Sequence, residues 1–344
     1  MSQGQLVQAL EHHRETIATD ETDKLYDDYQ ALVSDLDDTF LTACYHRLVD
    51  GDEDLAQNAL EDLILGLRER RADSSDDEWK DYVRLCIAHP IKDVLHQDPF
   101  TFHAFDKPRG YAGDADLLDF IYGVDEGKGP PENTTELGRR VFRYTTRSPA
   151  CRGVRHRARI VAELIDEIAR EFHRPDLLSV AAGHLREAGL SGALKQRRLG
   201  KYVAFDADVE SLQEVRRCYG HYGVETVAAT VRQIITGKRM DLGEFHFIYS
   251  TGLYDYLNQT AAKRLTTRLF DMVRPGGHLL IANFLADVKD RGYMESFMDW
   301  RLIFRNHNQM LDLAMAIGPA RVKDIHLTTD DDYNIVILHL TKKR

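Results

Sequence analysis

The chain has 344 residues, with 45 Lys and Arg against 56 Asp and Glu, a formal net charge of -11, and 43% hydrophobic residues. That composition describes a globular chain long enough for about two domains, and its acidic balance argues against a general nucleic-acid binder while leaving room for a local basic face. No apolar run approaches the roughly 18 residues that would span a bilayer, and the opening Met-Ser-Gln-Gly-Gln lacks a charged-then-apolar leader, so a cytoplasmic location without membrane contact is expected.

The first hundred residues read as helical and acidic. Leu25, Tyr29, Leu32, Leu36 and Phe40 recur at helical spacing, and Leu60, Leu63, Ile64 and Leu67 repeat the pattern after the Asp50-Gly51-Asp52 break. A third helical stretch, 79–95, carries Tyr82, Leu85, Cys86 and Ile87, with Pro90 kinking or ending its first part. Residues 98–114 mix aromatics, Pro, two glycines and alternating charges, a mixture wrong for a core helix and too apolar for a solvated linker. An ordered loop that closes over a site is expected there, with Arg109, Tyr111 and Asp114 as its polar contributors. Residues 115–122 read as a short helix, completing a lid or substrate segment around 98–123, and the Gly- and Pro-rich stretch 123–136 reads as a linker. The expected division is therefore a helical N-terminal domain, 1–136, followed by a second domain, 137–344.

Arginines crowd the start of the second part: Arg139, Arg140, Arg143, Arg147, Arg152, Arg155, Arg157 and Arg159. Pairing with the acidic helices or with an anionic substrate is the favoured reading, and an RNA-binding strip is the lesser one. The helix then continues through Val161, Leu164, Ile165, Ile168 and Phe172, spaced to pack on a sheet. Four cysteines, Cys44, Cys86, Cys151 and Cys218, lie far apart without a C-x-x-C pair, so free thiols are expected rather than disulfides, and no metal site.

The stretch 176–206 organises the chain. Leu177, Leu178 and Val180 form a short apolar run broken by Ala181-Ala182-Gly183, small residues that let a ligand approach the backbone closely. A tight turn follows, then a helical composition over 185–198 weakened by Gly189 and Gly192, and then a second buried strand, 202–205, ending in Asp206. In such a βαβ unit, an acid about 20 residues beyond the glycine turn accepts hydrogen bonds from ribose hydroxyls. The turn has no G-x-G-x-x-G; only Gly183 stands at its centre, and His184 follows. A pyrophosphate needs several bare amides at a helix N-terminus. An adenosine ligand without phosphate is therefore favoured, and S-adenosyl-L-methionine (SAM) fits that description.

Beyond Asp206, a crossover helix is expected over 209–219, a third strand over 224–231 with Val231 near an adenine, and a fourth, heavily apolar strand over 245–249 running into Ser250-Thr251-Gly252-Leu253-Tyr254-Asp255-Tyr256. A helix over 262–273, a fifth strand over 278–284 after Pro275-Gly276-Gly277, a helical stretch with Phe297, Met298 and Trp300, and strands 322–327 and 334–340 complete the pattern.

This alternation resembles the class I SAM-dependent methyltransferase fold. The motifs that carry the resemblance are Ser179-Val180-Ala181-Ala182-Gly183, Asp206, and Val273-Arg274-Pro275-Gly276-Gly277 before the fifth strand. It implies an α/β, Rossmann-like domain with a mostly parallel seven-stranded sheet, preceded here by the helical domain. Residues 107–114, 252–257 and 297–300 also look like a bacterial group named for quorum-signal fatty-acid methyl ester biosynthesis, which would place the chain in bacterial secondary metabolism. Methyltransferase-like enzymes that cyclise SAM to azetidine-2-carboxylate are a further relative, and spacing does not separate the two reactions.

The resemblance implies a SAM-using transferase acting on a small-molecule carboxylate or amine. SAM would lie against Ala181, Gly183, Asp206, Val231 and Ser250 at the carboxyl ends of the strands. Tyr111, Tyr254 and Asp255 are the candidate catalytic residues, and Arg109, Asp114 and Tyr256 the candidate substrate contacts. In-line methyl transfer depends on alignment in a dry site; an acceptor needing a base could draw on Asp255, His184 or Asp114, and a tyrosine face could meet the sulfonium.

Overall fold

Short apolar runs without polar alternation must be buried on both faces, which favours parallel pairing under covering helices. The computed structural model of this chain, described over residues 37–238 and 240–344, meets that requirement. Seven strands are β1 (Leu177–Val180), β2 (Tyr202–Asp206), β3 (Val224–Ala228), β4 (Phe245–Ser250), β5 (Val273–Phe284), β6 (Val322–Thr329) and β7 (Ile335–Lys342). They form one sheet in the order β3-β2-β1-β4-β5-β7-β6. Pairing is parallel from β3 through β5, whereas β7 runs antiparallel to both β5 and β6. Because β1 has β2 on one side and β4 on the other, the strand order reverses at β1. Ligands of open α/β sheets lie at the carboxyl ends beside such a reversal.

Leu178, Val180, Val203, Phe205, Ile248, Leu279 and Ile281 of the sheet pack with Leu265, Leu269 and Phe270 of the helix Gln259–Asp271 in one apolar cluster. The long helix Pro149–Glu171 buries Val154, Ala158, Val161, Ile165 and Ile168 at helical spacing.

Three local expectations change. Residues 185–198 are not one helix: a 3-10 turn, Arg186–Leu190, is followed by a single α-turn, Gly192–Lys195. Asp166 fixes that break, accepting from Ser191 Oγ at 2.6 Å, Gly192 N at 3.0 Å and Ala193 N at 2.8 Å. Strand β3 stops at Ala228, and Val231 opens the helix Val231–Ile235, where Thr230 and Gln233 form a capping box. The start of the expected 98–114 loop is the helix Pro99–Asp106; buried Asp98 caps it and Pro99 stands where a missing N–H costs nothing.

Contacts divide the chain into two units. The sheet unit takes Asp114–Gly127, Pro149–Val288 and Leu302–Arg344; the helical unit takes the described residues up to Gly113 together with Lys128–Ser148 and Lys289–Arg301. The chain thus passes between the units several times. The expected lid segment 98–123 falls partly in each, and Phe297 and Trp300 belong with the helices.

Within the helical unit, Leu60, Leu63, Ile64 and Leu67 are buried on the helix Glu53–Asp73, and the next helix ends at Ala88 before Pro90, resuming at Ile91. Arg140 and Arg143 pair with Glu53. Leu25, Tyr29, Leu32 and Leu36 lie outside the described residues. Among the described residues no helix is long and apolar enough to cross a membrane.

The largest fully buried side chain of the sheet unit is Arg305. Its Nη1 donates to the Tyr254 carbonyl at 2.6 Å and to Asn283 Oδ1 at 2.5 Å, Nε donates to Gln259 Oε1 at 2.9 Å, and Nη2 donates to the Leu257 carbonyl. One guanidinium therefore ties the loop after β4 to the end of β5. Arg305→Met should lower the unfolding free energy by about 2–5 kcal/mol, because it leaves buried carbonyls unpaired; chemical denaturation with an unchanged midpoint would contradict this.

Candidate functional site

The turn after β1 is tightly folded. Ala181, Gly183 and Leu185 have φ of 55°, 51° and 54°, so three of five consecutive residues are left-handed, which costs non-glycine residues roughly 1–2 kcal/mol each. Two contacts with the end of β2 hold the conformation. Ala182 N donates to the Phe205 carbonyl at 3.2 Å, and Gly183 N donates to Asp206 Oδ2 at 2.8 Å. Asp206 Oδ1 accepts from Asp208 N at 2.9 Å. A carboxylate offers about four acceptor positions, so acceptor capacity remains. Burial pushes the Asp206 carboxyl upward, against the pull of those backbone bonds.

Beside the turn lies a cavity of about 50 Å³, whose lining includes Ala115, Tyr122, Arg157, Gly183, Glu187 and Thr251. Its charges are organised by Asp119, on the helix Ala115–Gly123. Asp119 Oδ2 lies 2.9 Å from His184 Nδ1, and Arg186 donates to Asp119 through Nε at 2.7 Å and Nη2 at 2.6 Å. Arg186 also reaches Glu214 at 2.9 Å. Burial alone would raise Asp119, but the Arg186 and His184 hydrogen bonds prevail and hold it below the usual carboxylate range. Glu187 is buried and accepts from Tyr249 Oη at 2.7 Å, with Tyr202 Oη 2.5 Å from Tyr249. Burial raises the Glu187 carboxyl.

Of the residues expected from sequence, Ala181, Gly183 and Asp206 meet at this turn. Ser250 is fully buried and donates to the Val180 carbonyl at 2.9 Å, locking the ends of β4 and β1 together. Val231 packs partly buried against the core at the start of its helix. His184 is engaged by Asp119. Asp114 has no exposed surface and caps the helix Ala115–Gly123, accepting from Leu117 N at 2.8 Å. Tyr254 lies in the core with its hydroxyl 3.0 Å from Thr266 Oγ1. Asp255 is 2% exposed and accepts from Phe284 N at 2.8 Å, and burial pushes its carboxyl up to about 6. Tyr256 is exposed. Arg109 and exposed Tyr111 belong to the helical unit.

Sequence reasoning passed over Asp119, Arg186 and Glu187 and did not single out Arg157 from its neighbours. The run His184-Leu185-Arg186-Glu187 directly after the glycine turn was a usable signal, because charges there face whatever the turn holds. Arg157 gave none, being one of eight crowded arginines.

A scan of protein-family models finds no match for this sequence, and a search of curated proteins finds none either. Solved structures do resemble it. A protein from Bordetella parapertussis described as a possible exported protein is 16% identical, with a TM-score of 0.52 over 67% of this chain and 80% of that one. Magnesium protoporphyrin IX methyltransferase from Synechocystis, with bound SAM, covers 65% of this chain and 90% of its own at 8% identity and a TM-score of 0.42. An N-methyltransferase from Bradyrhizobium japonicum, in complex with S-adenosyl-L-homocysteine, covers 66% of this chain and 100% of its own at 11% identity and a TM-score of 0.41. At these identities the Bordetella likeness is one of fold. What fold and site together define is a doubly wound α/β protein with an antiparallel seventh strand and a small-residue turn facing an acid.

An added Cβ at Gly183 would meet only Ala115 Cβ, at 3.4 Å, so the backbone conformation sets the cost of Gly183→Ala. That substitution should lower stability by about 1–2 kcal/mol without unfolding the chain. A loss above about 4 kcal/mol by denaturant titration would mean that the turn is packed more tightly than described.

Proposed function

We propose that the sheet unit binds SAM at the carboxyl ends of its parallel strands and that the protein transfers the methyl group to a small-molecule carboxylate or amine. The observation that carries this reading is the Asp206 carboxylate bonded to the Gly183 amide. One acid both fixes the turn after β1 and retains acceptor capacity where a ribose would lie. The absence of a multi-glycine phosphate cradle fits a nucleoside whose 5′ substituent carries no phosphate. The strand order, with its single antiparallel insertion at β7, supports the same reading.

In this scheme Ala181 and Gly183 bring bare backbone to the ligand, Asp206 holds the sugar, and Ser250 keeps β4 in register with β1. Alignment of nucleophile, methyl carbon and sulfur supplies most of the acceleration. A carboxylate acceptor needs no base; for an amine, the loss of a proton before attack is a further requirement. Tyr254 and Asp255 act through the loop they stabilise, since both are buried and engaged.

The full chain incubated with SAM and a panel of carboxylate and amine acceptors should release S-adenosylhomocysteine only when the right acceptor is present. Release of methylthioadenosine and a C4 amino acid from SAM alone, read by mass spectrometry, would replace methyl transfer with cyclisation. Asp206→Ala should weaken S-adenosylhomocysteine by at least about tenfold, the equivalent of one charge-assisted hydrogen bond. Calorimetric affinity equal to wild type would move the nucleoside elsewhere.

Because Asp206 must be ionised to accept from both hydroxyls, its raised pKa sets a pH dependence. Affinity should fall on acidification, starting above the ordinary aspartate value of about 4. Asp206→Asn should flatten that profile; an unchanged slope would assign the titration to another group.

A further inference from the structure

Arg157 stands on the helix Pro149–Glu171 and is 4% exposed. It lines the cavity beside the β1 turn. Among the described residues nothing bonds its Nε or Nη1, both of which are buried. A guanidinium keeps its charge at any physiological pH, and a buried donor without a partner is costly. Two such donors on one side chain that itself lines the cavity are what an anionic group entering that cavity would satisfy once the side chain turns toward it.

The surroundings narrow the anion. Tyr122 takes one hydrogen bond from the same guanidinium. Glu187 lines the same cavity, and both it and Asp255 feel the Arg157 charge. A phosphate dianion would bring its second charge up against these acids. A carboxylate carried next to an ammonium would not: one sign meets Arg157 and the other meets the acidic side. The cavity measures about 50 Å³, which suits a head group, and the nucleoside is then assigned to the Asp206 side of the turn.

Resting on the SAM reading, we propose that Arg157 receives the α-carboxylate of the ligand's amino-acid end, and so selects nucleosides that carry that end over those that lack it. The amino-acid tail enters beside Gly183 and its carboxylate completes the two open guanidinium donors. Arg157 is thus a specificity determinant rather than a participant in bond making.

Calorimetry on the full chain with three probes tests this: S-adenosylhomocysteine, its decarboxylated analogue and 5′-methylthioadenosine. Wild type should bind the first about 10–100-fold more tightly than either of the others, the range for a charge-assisted contact. Arg157→Gln should erase that preference while leaving methylthioadenosine within about twofold, and Arg157→Lys should restore part of it. Equal wild-type affinity for S-adenosylhomocysteine and its decarboxylated analogue would overturn the assignment without recourse to any variant. So would an Arg157→Gln protein, folded by circular dichroism, that loses methylthioadenosine as much as S-adenosylhomocysteine. Wild type binding none of the three would overturn the SAM reading itself, and this one with it.

Discussion

The contact on which the sheet unit's site depends is the hydrogen bond from the Gly183 amide to the Asp206 carboxylate. It joins the end of β2 to the turn after β1, and that turn contains three left-handed residues, two of which are not glycine. Such a backbone persists only when its surroundings over-determine it. The carboxylate does so from one side, and the Ala182 amide, bonded to the Phe205 carbonyl, does so from the same strand end. Without them the turn would relax toward ordinary dihedrals, and the wall beside the cavity would be lost.

Around this contact the polar groups separate into those that are spent on structure and those that retain capacity. Ser250, Tyr254, Asp255 and Arg305 are all buried, and each one is committed to a backbone or side-chain partner. Asp255 and Arg305 hold the loop after β4 against β5, Tyr254 ties it to the helix Gln259–Asp271, and Ser250 joins β4 to β1. Asp206 and Arg157 differ: the first has acceptor positions left, the second has donors with no partner among the described residues. Rigid support of this kind is also what alignment-driven catalysis requires.

Charge is handled locally rather than through the net balance. The arginine-rich run divides its partners: Arg140 and Arg143 pair with Glu53 in the helical unit, while Arg152 pairs with Asp332, and Arg155 and Arg159 with Asp125, in the sheet unit. Most of a sequence feature that invites a nucleic-acid reading is thereby consumed in ordinary ion pairs. Arg157, about 200° around the helix from Arg159, lies on the buried side with Val154, Ala158 and Val161.

The sequence by itself determined the strands, since continuous apolar runs such as Phe247-Ile248-Tyr249 have no exposed face to offer, and it determined the small-residue turn and its acid, since both are local in chain order. Helix ends at Pro90 and the helical spacing of Leu60, Leu63, Ile64 and Leu67 were legible for the same reason. Tertiary structure alone decided which polar side chains are free to act. Tyr254, Asp255 and Asp114 have the chemistry of site residues, and the fold buries all three and gives each a hydrogen-bond partner. Asp119, Glu187 and Arg157 carry no local signature of comparable strength, because what sets them at the cavity is packing between elements far apart in the chain. Pattern reports which face a residue lies on; only the fold reports what waits there to bond it.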